Sequence, residues 1–193
     1  MPYAFYAMLS RMKLITRWSL MRNTSAESVA EHTQETAVLA HALALLHNRR
    51  FGGTVCAERC VLFALYHDAS EILTGDLPTP VKYHNSGLRE AYRQVENTAA
   101  ETLLSLLPED LRPDYAPLLH EEMTEEERRL VKAADKLSAL IKCEEELKAG
   151  NREFSVARET TEQALHALHC PAAECFLTEF LPAFSQTLDQ SLS

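Results

Sequence analysis

The stretch SVAEHTQETAVLAHALALLHN, residues 28–48, sets the tightest limit on what this chain can fold into. Ser28 followed three residues later by Glu31 is a capping-box pattern. Beyond it Val29, Val38, Leu39, Ala42 and Leu45 recur at helical spacing. The pattern returns in TEEERRLVKAADKLSALIKCEEELKAG, where Thr124 and Glu127 form a second capping box and Gly150 is the stop. Between them CAERCVLFALYHDASEILTG predicts one central helix, apolar nearly all round, ending at Gly75. A further polar-rich helix is expected over about 86–107, before Pro108. Two more should fill the C-terminus, the last bent at Pro182.

Breaks fall at RNTS, NRRFGGT, TGDLPTP, LPEDLRPD, LKAGNREF and HCPAA, each carrying turn residues. No stretch alternates as a half-buried strand does. Only five glycines and 7% aromatics among 193 residues agree with helix. The expectation is an all-α chain forming one domain over residues 1–193, since no repeat or low-complexity linker marks a boundary.

The net charge of −9 argues against a general grip on nucleic acid. The N-terminal segment MPYAFYAMLSRMKLITRW is amphipathic, with Arg11, Lys13 and Arg17 inside its apolar pattern, unlike a signal peptide. No apolar run is long enough to span a bilayer, so a cytoplasmic protein is expected. Five cysteines without a CxxC pair read as reduced, partly buried thiols.

One place breaks the apolar logic. His67, Asp68 and Glu71 stand at the end of the central helix, followed by Asp76 and two prolines. Imidazole and carboxylate together suit a divalent cation, but two ligands make a weak site. Other helices offer His32, near the start of a core-facing surface, and Asp135. With Leu130 at zero on a helical wheel, Asp135 falls at about 140°, the edge of the apolar stripe, where a carboxylate needs a partner. Singly these have plain explanations: a hydrogen-bonded core histidine, or Asp135 paired with Lys132 or Lys136. Glu71 alone reads as a solvated helix-end glutamate, Arg17 as a surface arginine, and Trp18 as core.

As an ordered set, H…HD…D over three helices resembles the HD-domain metal-dependent phosphohydrolases. The stretches RW, EHT, HDASE, TGDLPTPVK and KAADKL also resemble the bacterial 5′-deoxynucleotidases of the YfbR type, and the likeness runs from the N-terminus to at least Gly150. That resemblance implies a helical HD-type domain in which His32, His67, Asp68 and Asp135 ligate one divalent metal. Co²⁺ and Mn²⁺ come first, with Zn²⁺, Fe²⁺ or Cu²⁺ also compatible. It implies hydrolysis of deoxyribonucleoside 5′-monophosphates by a homodimer, with broad base tolerance and selection against ribonucleotides. Catalysis would fall to Glu71, Arg17 and Asp68, with Arg17 orienting the phosphate. Substrate would meet Arg17, Trp18, His32, Asp68, Asp76, Thr79, Pro80, Val81, Lys82 and Asp135, the two prolines stiffening the loop. The alternatives are an HD enzyme acting on another phosphoester, or a nucleotide sensor that keeps its metal.

Overall fold

The computed structural model describes residues 2–78 and 85–192. Both capping boxes form. Ser28 accepts from the Glu31 amide at the head of α2, Val29–Arg50, while the Glu31 carboxylate takes the Ser28 amide at 2.7 Å. Thr124 and Glu127 do the same for α7, Glu125–Lys148. These reciprocal bonds satisfy amides that a helix start otherwise leaves open. Gly75 and Gly150, at φ +72° and +87°, end their segments in backbone that side chains rarely adopt.

The N-terminus forms a short α1, Phe5–Leu9, running into a 3₁₀ turn over Ser10–Leu14. Phe5 and Met12 are buried. The chain then extends, and Thr16 makes an antiparallel bridge to Ser28. The amide of Arg17 donates to the Glu27 carbonyl and that of Val29 to the Ile15 carbonyl, both at 2.9 Å. This closes residues 15–29 into a loop that returns the chain to the head of α2. Arg17 and Trp18 therefore lie outside the N-terminal helix, and the reading of Arg17 as a surface arginine of an amphipathic helix is corrected.

The central helix also differs from expectation. It is two pieces, α3 at Ala57–Tyr66 and α4 at Glu71–Thr74, separated by a turn over residues 67–70. His67 Nδ1 lies 2.7 Å from the Ala64 carbonyl, the oxygen that the Asp68 amide would use in a continuing α-helix. The next amides tighten to three-residue bonds, Ala69 to Tyr66, Glu71 to Asp68 and Ile72 to Ala69. Nor is α3 apolar-covered all round: Ala57, Cys60, Phe63 and Ala64 are buried, whereas Leu62 and Leu65 are exposed.

Beyond the turn come α5, Ser86–Ser105, and α6, Arg112–Leu119. The latter was not anticipated, because Pro113 and Pro117 argue against helix; Pro113 sits in its first turn, where a missing N–H costs little. The C-terminal part contains α8, Ser155–His166, and α9, Pro171–Glu179. Instead of bending at Pro182, α9 stops at Glu179; Pro182 lies in a 3₁₀ turn over Leu181–Ser185 before a last short α10, Leu188–Ser191.

Two apolar clusters hold these helices. The larger packs Leu39, Ala40 and Leu43 of α2 against Phe63 and Ala64 of α3 and Leu130, Leu137, Leu140 and Ile141 of α7, with Phe176 beneath. Each fully buried side chain of this size contributes about 1.5–3 kcal/mol. The smaller joins Phe5, Ala69, Leu103, Leu104 and Leu107. Since Ala69 belongs to that second cluster, the 67–70 turn is anchored from both sides. The described residues show no disulfide: Cys60, Cys143 and Cys170 are buried free thiols and Cys56 is exposed. Burial pushes the Cys60 thiol up to about 11 and Cys143 up to about 12, so they pack as small apolar groups.

Candidate active site

Three helices deliver polar side chains to one point. His32, 1% exposed, comes from near the start of α2, His67 and Asp68 from the turn after α3, and Asp135 from the middle of α7. Ligand atoms of His32, His67 and Asp135 lie within 4.8 Å of one another. Asp68 joins them, its Oδ2 being 3.5 Å from His32 Nε2 and 3.1 Å from His67 Nε2. Asp135 Oδ1 is 3.2 Å from His32 Nε2, so its partner is an imidazole and not merely a neighbouring lysine. The two rings stand 5.4 Å apart, edge to face.

The donors of this set are aimed and poised. A carbonyl only accepts, so His67 Nδ1 must carry a proton to bond Ala64, leaving a lone pair on Nε2 of the neutral ring. Both His32 Nε2 and His67 Nε2 are buried without a hydrogen bond among the described residues. Two nitrogen lone pairs and two carboxylates facing one point repel each other unless a proton or a cation lies between them. The titration behaviour says the same. Burial disfavours a charged His67, yet Asp68 and Asp135 outweigh it and hold the imidazole pKa up. Burial likewise works against the Asp68 and Asp135 carboxylates, but the two imidazoles keep both below the ordinary range. A mixed nitrogen and oxygen set with this demand for positive charge fits a divalent metal.

Glu71, the first residue of α4, is 7% exposed, not the solvated helix-end glutamate its position allows. It stands one turn past the His67–Asp68 pair. Arg17 reaches the same region from the 15–29 loop. Burial disfavours its charge, but Glu27, Asp68, Asp135 and Asp76 together raise its pKa, so the guanidinium lies within the field of the site's carboxylates and of Asp76. Trp18 packs on Phe154 with ring centroids 5.3 Å apart and adopts φ +57°, a strained angle for a bulky residue. Thr79, Pro80, Val81 and Lys82 lie outside the described residues.

Three residues were missed by sequence reasoning. Glu27 Oε2 accepts from Arg17 Nη1 at 3.0 Å and from Trp18 Nε1 at 2.8 Å, one carboxylate oxygen fixing both side chains. Ser138 and Glu35 line up behind His32, with the Ser138 hydroxyl 3.0 Å from His32 Nδ1 and 2.6 Å from Glu35 Oε2. Helical spacing held a signal for these two, since Glu35 is three residues past His32 and Ser138 three past Asp135. Nothing local marked Glu27.

Comparison with known proteins adds independent findings. Residues 4–184 match the family of 5′-deoxynucleotidases described as YfbR-like. The 5′-deoxynucleotidase yfbR of Photorhabdus temperata is 51% identical over 187 residues, 96% of this chain and 95% of that protein. Among solved structures, an HD-domain phosphohydrolase from Listeria innocua superposes with a TM-score of 0.81 at 26% identity, covering 93% of this chain and 87% of the other. The cyanophage S-2L HD phosphohydrolase DatZ, solved with dA and one catalytic Zn²⁺, gives 0.67 at 20% identity, covering 94% and 96%. That last likeness concerns the fold alone.

Proposed function

The chain belongs to the YfbR-like family of 5′-deoxynucleotidases, and from that premise we propose how it works. It is a phosphoric monoester hydrolase that converts deoxyribonucleoside 5′-monophosphates to deoxynucleosides and phosphate, with His32, His67, Asp68 and Asp135 holding one divalent cation. The observation that carries this reading is the convergence of two buried Nε2 lone pairs and two partly exposed carboxylates on one point. When bound, the cation supplies charge that offsets the phosphate's and acidifies the attacking water.

The chain's own groups do the rest. Arg17, held by Glu27 through one N–H, presents its remaining donors to the phosphoryl oxygens and sets their orientation. Trp18, tied to the same carboxylate, walls the pocket beside it. Glu71 moves the proton between water and the leaving 5′-oxygen; a buried carboxyl one turn from the ligand pair suits that task. His32, Asp68 and Asp135 border the phosphate as well as the metal. Asp76, Thr79, Pro80, Val81 and Lys82 meet the sugar, and crowding there disfavours a 2′-hydroxyl. Because the metal, Arg17 and the sugar contacts supply most of the binding, base preference should be weak.

Co²⁺ or Mn²⁺ is the proposed metal, within a donor set that also suits Zn²⁺, Fe²⁺ or Cu²⁺. A cytoplasmic homodimer is proposed in addition. Among the described residues no helix is long and apolar enough to cross a membrane, and exposed Val38, Leu45, Leu62 and Leu65 give α2 and α3 apolar surface to share. The test of selectivity is phosphate release from dAMP and from AMP, with metal-stripped protein and added Co²⁺ or Mn²⁺. Release from dAMP that needs metal and largely spares AMP supports the reading. Equal release from both removes the account of sugar selection, and no release with any metal removes the activity.

A further inference from the structure

A metal-binding imidazole works only if the correct nitrogen keeps its lone pair, and the two histidines here solve that problem differently. His67 is fixed by the Ala64 carbonyl at 2.7 Å, a partner that cannot donate. His32 Nδ1 faces the Ser138 hydroxyl at 3.0 Å, a group able to donate or accept. Among the described residues the other hydroxyl within range is that of Thr36, at a marginal 3.5 Å. By itself a serine would leave the His32 tautomer undecided.

Glu35 removes the ambiguity. Its Oε2 accepts a hydrogen bond from the Ser138 hydroxyl at 2.6 Å, which leaves the serine oxygen as an acceptor toward His32. His32 Nδ1 must then carry a proton, and Nε2, buried and pointed at Asp68 and Asp135, keeps its lone pair. Ser138 is fully buried, so water does not compete for its hydroxyl. Glu35 and His32 are three residues apart on α2, and Ser138 and Asp135 three apart on α7, so the relay also joins the two helices that carry ligands.

We propose that Glu35 and Ser138 are positioning residues whose relay Glu35–Ser138–His32 fixes the ring nitrogen that faces the metal. The inference rests on the metal reading above. It makes an asymmetric prediction: loss of Glu35 frees Ser138 to donate to His32 Nδ1 and so to favour the wrong tautomer. Outer partners of metal-binding histidines are worth about 10–100-fold in metal affinity.

The test is titration of Co²⁺ into metal-stripped protein, followed by cobalt absorption, for wild type, Ser138→Ala, Glu35→Leu and Glu35→Gln. Wild type should bind one Co²⁺. Ser138→Ala and Glu35→Leu should bind about 10–100-fold more weakly, while Glu35→Gln, which keeps an acceptor oxygen, stays close to wild type. Nitrogen NMR of histidine-labelled, metal-free protein should show the Nδ1–H form of His32 in wild type and its loss in Glu35→Leu. A purely structural role for the pair would leave that spectrum unchanged. Equal Co²⁺ affinity in all four proteins, or an unaltered His32 tautomer in Glu35→Leu, overturns the relay while leaving the metal site intact. Failure of wild type to bind Co²⁺ overturns the metal reading itself. If Ser138→Ala does not fold, the two Glu35 variants decide the matter.

Discussion

Glu146 is the most heavily used carboxylate in the described structure, and removing it gives the sharpest stability prediction. It is 0% exposed and accepts from the Thr24 amide at 2.9 Å, the Thr24 hydroxyl at 2.7 Å, the Ser25 amide at 3.2 Å and the Asn151 side chain at 2.8 Å. It also pairs with Lys142, itself 5% exposed, one turn back on α7. Glu146→Ala strands a buried ammonium left with the Ser25 carbonyl and the Phe154 ring, 5.8 Å away, and opens two loop amides. Breaking a buried pair from one side costs about 3–5 kcal/mol. For a chain of this size that lowers Tm by roughly 6–20 °C, at about 2–4 °C per kcal/mol. Adding Lys142→Met should recover at least about 1 kcal/mol, because the unpaired charge goes with it. Burial pushes the Glu146 carboxyl up, but Lys142, Asn151 and Thr24 together hold it below its ordinary 4.5. Its contribution is therefore complete above 4.5 and lost as pH falls toward the lowered folded value, so the gap between wild type and Glu146→Gln should hold down to about pH 5 and narrow below it. Urea unfolding at each pH measures the free energies, and thermal unfolding measures the Tm. A Glu146→Ala loss under about 1 kcal/mol would refute the reasoning, since exposed ion pairs are worth no more.

Glu71→Gln should lower kcat by about 10²–10⁴-fold with Co²⁺ binding retained, as expected of a group that moves a proton; unchanged turnover of dAMP would remove it from that role. Glu27→Gln weakens the charge-assisted hold on Arg17, and the kcat/KM for dAMP should drop roughly 10–100-fold, from about 1.5–3 kcal/mol, through KM more than kcat. Gly53→Ala would set a Cβ 2.1 Å from Cδ2 of the buried His47 ring. It should cost about 1–3 kcal/mol in thermal or urea unfolding, with kcat unaltered, because His47 belongs to the opposite end of α2 from His32.

What could be read in advance followed from local rules. The capping boxes at Ser28 and Thr124 and the glycine stops at Gly75 and Gly150 depend on a few neighbouring residues, and all four formed as the sequence implied. His32 and Asp135 were legible as polar residues at the margin of apolar helix faces. What stayed hidden depends on contacts between distant or competing groups. The break after Tyr66 needs the His67 ring to take the Ala64 carbonyl, and no periodicity encodes that. The position of Arg17 and Trp18 needs the Thr16–Ser28 bridge and the Glu27 carboxylate. Helix α6 forms despite two prolines because one sits in its first turn and Tyr115, Ala116 and Leu119 reach the second apolar cluster. Propensity gave way to packing there.

If His32, His67, Asp68 and Asp135 hold a single catalytic metal, titration of metal-stripped protein with Co²⁺ should show it when cobalt absorption and phosphate release from dAMP are followed together. Both should rise in proportion and level off at one equivalent per chain, and His67→Ala or Asp135→Ala should abolish both. Hydrolysis of dAMP by the metal-stripped protein, or activity that persists in either variant, would contradict the single-metal assignment.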